Sequence, residues 1–194
     1  MSATGRSDVR HPDDYYATPN WAIRAILPHL PLSGQILEPC AGTGAIVREL
    51  VGHGVYHERI HAIEIDRERA LHANAACLDY LAIDPCESYS LCITNPPYKL
   101  AMQFVQRALS HCDTVCMLLR QGFLASQGRR EWLSKHVPDV YQLSARPSFT
   151  ANGRSDAADY AWFVWTPGER PVGLLRYLDC GPAKTKPIGA GGDA

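Results

Sequence analysis

The chain has 194 residues, of which 46% are hydrophobic and 20% charged, and its formal net charge is −1. This is an ordinary globular composition on a chain of about one domain, long enough to bury a core. The near-neutral charge excludes a chain that holds nucleic acid by overall attraction, so any such contact must come from a local basic face.

Residues 1–14 are polar and read as a flexible arm. Asn20 is placed to cap a helix over residues 20–29, in which Trp21, Ile23, Ile26 and Leu27 are apolar. A short strand at 35–38 leads into a helix at 43–52, with Ile46, Val47, Leu50 and Val51 on one side. A strand at 59–64 is followed by a helix at 66–76 that starts at Asp66, and then by a weak strand at 78–82. The strand at 90–94 runs straight into Asn95. A helix at 100–111, a continuously apolar strand at 114–119 and a helix at 126–136 come next. Strands at 140–145 and 160–165 flank a loop containing Asn152-Gly153 and read as an antiparallel pair. The tail, 181–194, is rich in Gly, Pro, Lys and Ala and reads as disordered.

Strands alternating with helices predict an α/β fold: a doubly wound, mostly parallel seven-stranded sheet with an antiparallel C-terminal hairpin strand. One domain is expected over 15–180. The seven cysteines include no C-x-x-C pair, which argues against a disulfide framework and a common zinc site. Cys112 and Cys116 read as buried thiols. The N-terminus carries no apolar run, so the expectation is a reduced, intracellular protein with no membrane contact and no metal.

Two motifs carry chemistry. The run Ile36-Leu37-Glu38-Pro39-Cys40-Ala41-Gly42-Thr43-Gly44 is a strand, a glycine turn and a helix start. Glycines let a backbone turn tightly and approach a ligand. Val47 stands where a dinucleotide site would carry a third glycine. Glu38 would repel a pyrophosphate but attract the ammonium of a methionine moiety. Glu64, at the end of the next strand, can accept from both hydroxyls of a ribose. Asp79 follows the third strand; it reads equally as a surface carboxylate or as an acceptor for an adenine amino group.

The second motif is Asn95-Pro96-Pro97-Tyr98. Two prolines cannot continue a central strand, and they remove two donors. What remains at the strand end is a cluster of acceptors. The Asn95 side-chain carbonyl and the Pro96 backbone carbonyl can both accept from one NH2 group and direct its nitrogen lone pair at an electrophile. Tyr98 can stack on a planar base or amide. Asn-Pro and Pro-Pro also mark plain strand-ending turns. The position after a glycine loop and Glu64, at the carboxyl end of a parallel sheet, favours the functional reading.

Over roughly residues 15–166 this series resembles the Rossmann-like amino-methyltransferases, especially phage and restriction-modification type N6-adenine DNA methyltransferases. The resemblance implies S-adenosylmethionine as cofactor. It implies cofactor contacts from Tyr16, Thr18 and Pro19 in Tyr16-Ala17-Thr18-Pro19. Further contacts would come from Glu38, Pro39, Cys40, Ala41, Gly42 and Gly44, and from Glu64, Ile65, Asp79 and Asn95. It implies Asn95, Pro96, Pro97 and Tyr98 as the catalytic group, and Phe149, in Arg146-Pro147-Ser148-Phe149, as the second ring against the base; a core Phe is the alternative. The implied reaction is direct in-line transfer to an exocyclic amine, most simply N6 of adenine in DNA. An RNA base or a protein glutamine amide is an alternative acceptor, and a non-catalytic binding module is an alternative of another class.

The chain leaves little room for a target-recognition domain, so a separate protein partner for recognition is conceivable. From Lys99 to Arg154 there are eight basic and three acidic residues, a local balance of +5 that could face phosphates. Gln121-Gly122-Phe123 is expected as a mobile loop at the site.

Overall fold

A computed structural model describes residues 17–84, 87–148 and 158–180. Tyr16, Phe149 and the Asn152-Gly153 loop lie outside them, as do the expected arm and tail.

The strands are β1 (Ile36–Glu38), β2 (Ile60–Glu64), β3 (Ala76–Cys77), β4 (Leu91–Thr94), β5 (Val115–Arg120), β6 (Asp139–Leu143), β7 (Tyr160–Trp165) and β8 (Leu175–Leu178). They form one sheet in the order β3-β2-β1-β4-β5-β7-β6-β8. β3, β2, β1, β4 and β5 are mutually parallel. β7 runs antiparallel to both β5 and β6, and β8 is parallel to β6. The strand order therefore reverses at β1, between β2 on one side and β4 on the other. A crevice opens at the carboxyl ends of strands at such a switch point.

The α-helices are α1 (Asn20–Ile26), α2 (Ala45–Gly52), α3 (Arg67–Ala73), α4 (Ala101–Leu109) and α5 (Arg130–Lys135). The central strands are buried on both faces, as parallel strands covered by helices must be. On one face Ile36, Leu91, Ile93, Leu118 and Trp162 pack with Ile23 and Ile26 of α1 and Leu50 of α2. On the other, Leu37, Cys92, Met117, Phe163 and Trp165 pack with Phe104 and Val105 of α4. The alternation of these residues along each strand builds two cores from one sheet. Trp162 is fully buried, and its indole N–H donates to the Ala22 carbonyl at 2.9 Å, which ties α1 to β7. Cys92, Cys112 and Cys116 are buried thiols.

Four expectations are corrected at the edges. The helix expected to reach residue 76 stops at Ala73, because Asn74 takes a left-handed conformation with φ 51° and ψ 44°. The third strand is Ala76–Cys77 rather than 78–82, since the Asp79 side chain accepts from the Leu81 N–H at 2.9 Å and turns the chain there. An eighth strand, β8, adds to the seven expected; three of its four residues are exposed, so no burial pattern marks it. The helix expected at 126–136 begins as a single 3-10 turn, Gln127–Arg129, before α5.

Candidate active site

A cavity of about 600 Å³ opens where the carboxyl ends of β1 to β4 meet. The turn after β1 supplies Pro39, Cys40, Ala41 and Gly42; the end of β2 supplies Glu64 and Ile65. The turn after β3 supplies Asp79, and the end of β4 supplies Asn95 and Pro97. Thr18 closes it from the N-terminal side. Four loops remote in sequence are thus brought together, as the two motifs required.

The glycine turn works as its residues demand. Gly42 and Gly44 have φ of 54° and 83°, a region that favours glycine. Gly44 does not line the cavity. A Cβ there would lie 3.1 Å from the Ala73 Cα, so its task is to let α2 start hard against the end of α3.

Glu38 is fully buried at the root of this turn. Its Oε1 accepts from the Cys40 N–H at 3.0 Å. Burial pushes its carboxyl from 4.5 up to about 8; the Thr94 hydroxyl and the Cys40 N–H hold it down in part, and the Glu64 carboxylate pushes it further up. Its Oε2 has no well-formed hydrogen bond among the described residues. Burial likewise pushes the Cys40 thiol well above its ordinary value, so that side chain stays neutral in the cavity wall.

Glu64 is 5% exposed and already held. Oε2 accepts from the Gly42 N–H at 2.7 Å, and Oε1 from the Asp66 N–H at 3.0 Å. Arg69 reaches Oε1 at 3.3 Å from both Nε and Nη2. Those last contacts are the longest of the set, hence the ones a ligand hydroxyl would most readily share or replace. Ile65 is 65% exposed at the cavity mouth, free to lie along a flat ligand.

Asn95 lines the cavity, and its Nδ2 donates to the Thr18 hydroxyl at 3.1 Å. Pro97 lines it too, and its carbonyl accepts from the Leu100 N–H at 2.9 Å, turning the chain into α4. Pro19, Glu38, Pro96 and Tyr98 are not part of the lining. Pro19 instead caps α1. Tyr98 packs beside Tyr160, ring centroids 5.7 Å apart, under the Arg120 guanidinium at 5.1 Å. Arg120 is held in turn by a 2.9 Å hydrogen bond from Nε to the Tyr160 hydroxyl.

Sequence reasoning missed Arg69 and Tyr80, both of which line the cavity. Tyr80 directly follows Asp79, and an aromatic after that carboxylate was the available signal. The basic balance after Asn95 also shrinks in the fold. Arg129 donates to the Phe123 carbonyl at 2.9 Å and covers its ring, while Arg146 pairs with Asp159 at 2.7 Å. Lys99 is exposed at the cavity rim. The segment expected as a mobile loop is a 3-10 turn, Gln121–Phe123, pinned by the burial of Phe123 against Phe163 and Trp165. Among the described residues no three His, Cys, Asp or Glu side chains converge as metal ligands would, and no helix is long and apolar enough to cross a membrane.

No protein-family model matches the sequence, and no curated protein matches it. Solved structures share the fold. The methyltransferase subunit of a type I restriction-modification system from Streptococcus thermophilus aligns with a TM-score of 0.62 at 14% identity, over 78% of this chain and 45% of that one. The 23S rRNA methyltransferase ErmE aligns with a TM-score of 0.58 at 19% identity, over 81% of this chain and 71% of that one. A dimethyladenosine transferase from Plasmodium falciparum aligns with a TM-score of 0.60 at 14% identity, over 79% of this chain and 63% of that one. The chain therefore spans less than half the length of the restriction-modification subunit it matches. These likenesses establish a class I methyltransferase fold.

Proposed function

We propose that this protein is an S-adenosylmethionine-dependent methyltransferase acting on an exocyclic planar amino group, with N6 of adenine in DNA as the leading acceptor. The observation that carries the reading is the placement of Asn95 and Pro97 on the same cavity as the Gly42 turn and Glu64, at the switch point of the sheet.

The residues present suit that cofactor. The buried Glu38 Oε2, short of a well-formed hydrogen bond, is the acceptor an ammonium group would complete. Glu64 stands at the end of β2, where a ribose would lie, and Asp79 and Ile65 flank the space for an adenine. The cavity volume is within the range of small-molecule sites. When bound, the cofactor supplies an electrophilic methyl group on a sulfonium.

The chain's own part is positioning. We assign the Asn95 Oδ1 and the carbonyl of Pro96, which follows it just outside the lining, as the acceptors for the two N–H bonds of the amine, an arrangement that would fix its plane and turn its lone pair toward the methyl. The proton leaves after the nitrogen has become cationic, so no strong base is required before attack. Rate then comes from orientation and from acceptors matched to the developing positive charge. A base in duplex DNA must first leave the stack, at a cost of roughly a few kcal/mol.

An RNA base is the second reading, favoured by the likeness to an enzyme named for 23S rRNA. A separate recognition partner would supply the reading of the target sequence. Incubation with radiolabelled cofactor and a mixture of DNA, RNA and protein tests the acceptor. Label in DNA supports the first reading. Label only in RNA or protein overturns it.

A further inference from the structure

Asn95 can serve an amine only if its carbonyl oxygen, and not its NH2, faces the acceptor. A carboxamide has two nearly isosteric orientations, which its hydrogen bonds must tell apart. The Thr18 side chain supplies one of those bonds. It is 6% exposed, it lines the same cavity, and its Oγ1 accepts from Asn95 Nδ2 at 3.1 Å. With Nδ2 engaged there, Oδ1 is directed away from Thr18.

The mount that carries Thr18 is rigid. Pro19 follows with φ −62°, and the residue before a proline is held extended. The helix it opens is locked to the sheet: Ala22, Ile23 and Ile26 are fully buried, and the Ala22 carbonyl takes the Trp162 indole N–H at 2.9 Å. The distance between Thr18 and Asn95 is thus set by the packing of α1 on β7 and by the end of β4, two parts of one core.

We propose that Thr18 is a positioning residue for the methyl transfer: its hydroxyl anchors the Asn95 carboxamide through Nδ2, which holds Oδ1 on the side away from Thr18 for the acceptor amine. This rests on the function proposed above. A misplacement of about 1 Å in such a group costs on the order of a hundredfold in rate.

The test compares T18V, which keeps the shape and removes the hydroxyl, with T18S, which keeps the hydroxyl. T18V is expected to lower kcat by roughly 10- to 100-fold, with T18S recovering most of it. T18V added to N95A is expected to cost nothing further, because the two act through one contact. Equal losses in T18V and T18S overturn the proposal, as does a T18V effect confined to cofactor KM. Additive losses in the double variant overturn it too. A second readout does not depend on turnover. The Asn95 side-chain NH2 resonances, assigned by their absence in N95A, should shift and exchange faster in T18V but not in T18S. Unmoved resonances in T18V refute the contact. A wild-type protein that methylates no DNA, RNA or protein while these resonances move refutes the proposed function and, with it, the catalytic role, leaving only the contact.

Discussion

Glu38 should make the stability of this protein fall as pH rises, and Glu38→Gln should abolish that fall. Its carboxyl titrates near 8 in the folded chain, against an ordinary value of 4.5. The sign follows from proton counting. Between those two values the native state holds a proton that the unfolded state has lost, so stability is full below about pH 4.5 and is lost as pH rises through about 8. Across the whole window the loss is on the order of 5 kcal/mol, at about 1.4 kcal/mol per pH unit. The assay is thermal unfolding of the ligand-free wild type and of E38Q from pH 5 to 9 at constant ionic strength. Other titrating groups are common to both, so the difference between them isolates Glu38. The difference should swing in favour of E38Q as pH rises, by on the order of 10 °C in Tm at a few degrees per kcal/mol. Saturating cofactor should flatten the wild-type slope, because an ammonium beside Oε2 stabilises the carboxylate. Parallel curves for the two proteins without ligand would refute the reasoning, since they would mean that the carboxyl ionises at its ordinary pH.

Three further outcomes are expected. Gly44→Ala forces a side chain into a left-handed backbone and 3.1 Å from the Ala73 Cα, so it should destabilise by about 1–3 kcal/mol in urea unfolding. Arg120→Met removes the cation over the Tyr98 ring and its bond to Tyr160, so it should raise the acceptor KM several-fold while leaving cofactor affinity within about twofold, measured by steady-state kinetics and calorimetry. Arg69→Ala removes the longest contacts to Glu64 while the Gly42 and Asp66 N–H groups keep holding it; cofactor affinity should then change by less than about tenfold, on the scale of one hydrogen bond, by calorimetry.

The legible parts of this fold are those where local chemistry leaves one option. Leu91–Ile93 and the buried run of β5 are apolar throughout, which marks central strands covered on both faces. Gly42 and Gly44 need positive φ, and Pro96 and Pro97 cannot pair in a ladder, so a turn at each strand end follows from residue type alone. β3 and β8 lacked such marks. The first has two exposed residues and the second has three exposed of four, so only tertiary pairing defines them.

The site divides in the same way. Its loops were readable, because their special residues announce them. The contacts between loops were not. Thr18 and Asn95 are 77 positions apart, and nothing local says that one hydroxyl meets the other's amide. Tyr98 shows the limit from the other side: stacking chemistry is evident from its ring, yet its place between Tyr160 and Arg120 depends on β7 running antiparallel beside β5. The basic residues after Asn95 were countable in sequence, but Arg129 and Arg146 are spent on the Phe123 carbonyl and on Asp159, which a charge count cannot reveal.

We propose that Asn95 presents an acceptor to a planar amine, N6 of adenine in DNA. Sequencing of modified bases in DNA from cells expressing the wild type, beside cells expressing N95A, tests it most directly. The wild type should leave N6-methyladenine at defined sites and N95A none above background, although the variant still binds cofactor. Unmodified DNA from both, or equal methylation by both, would contradict it.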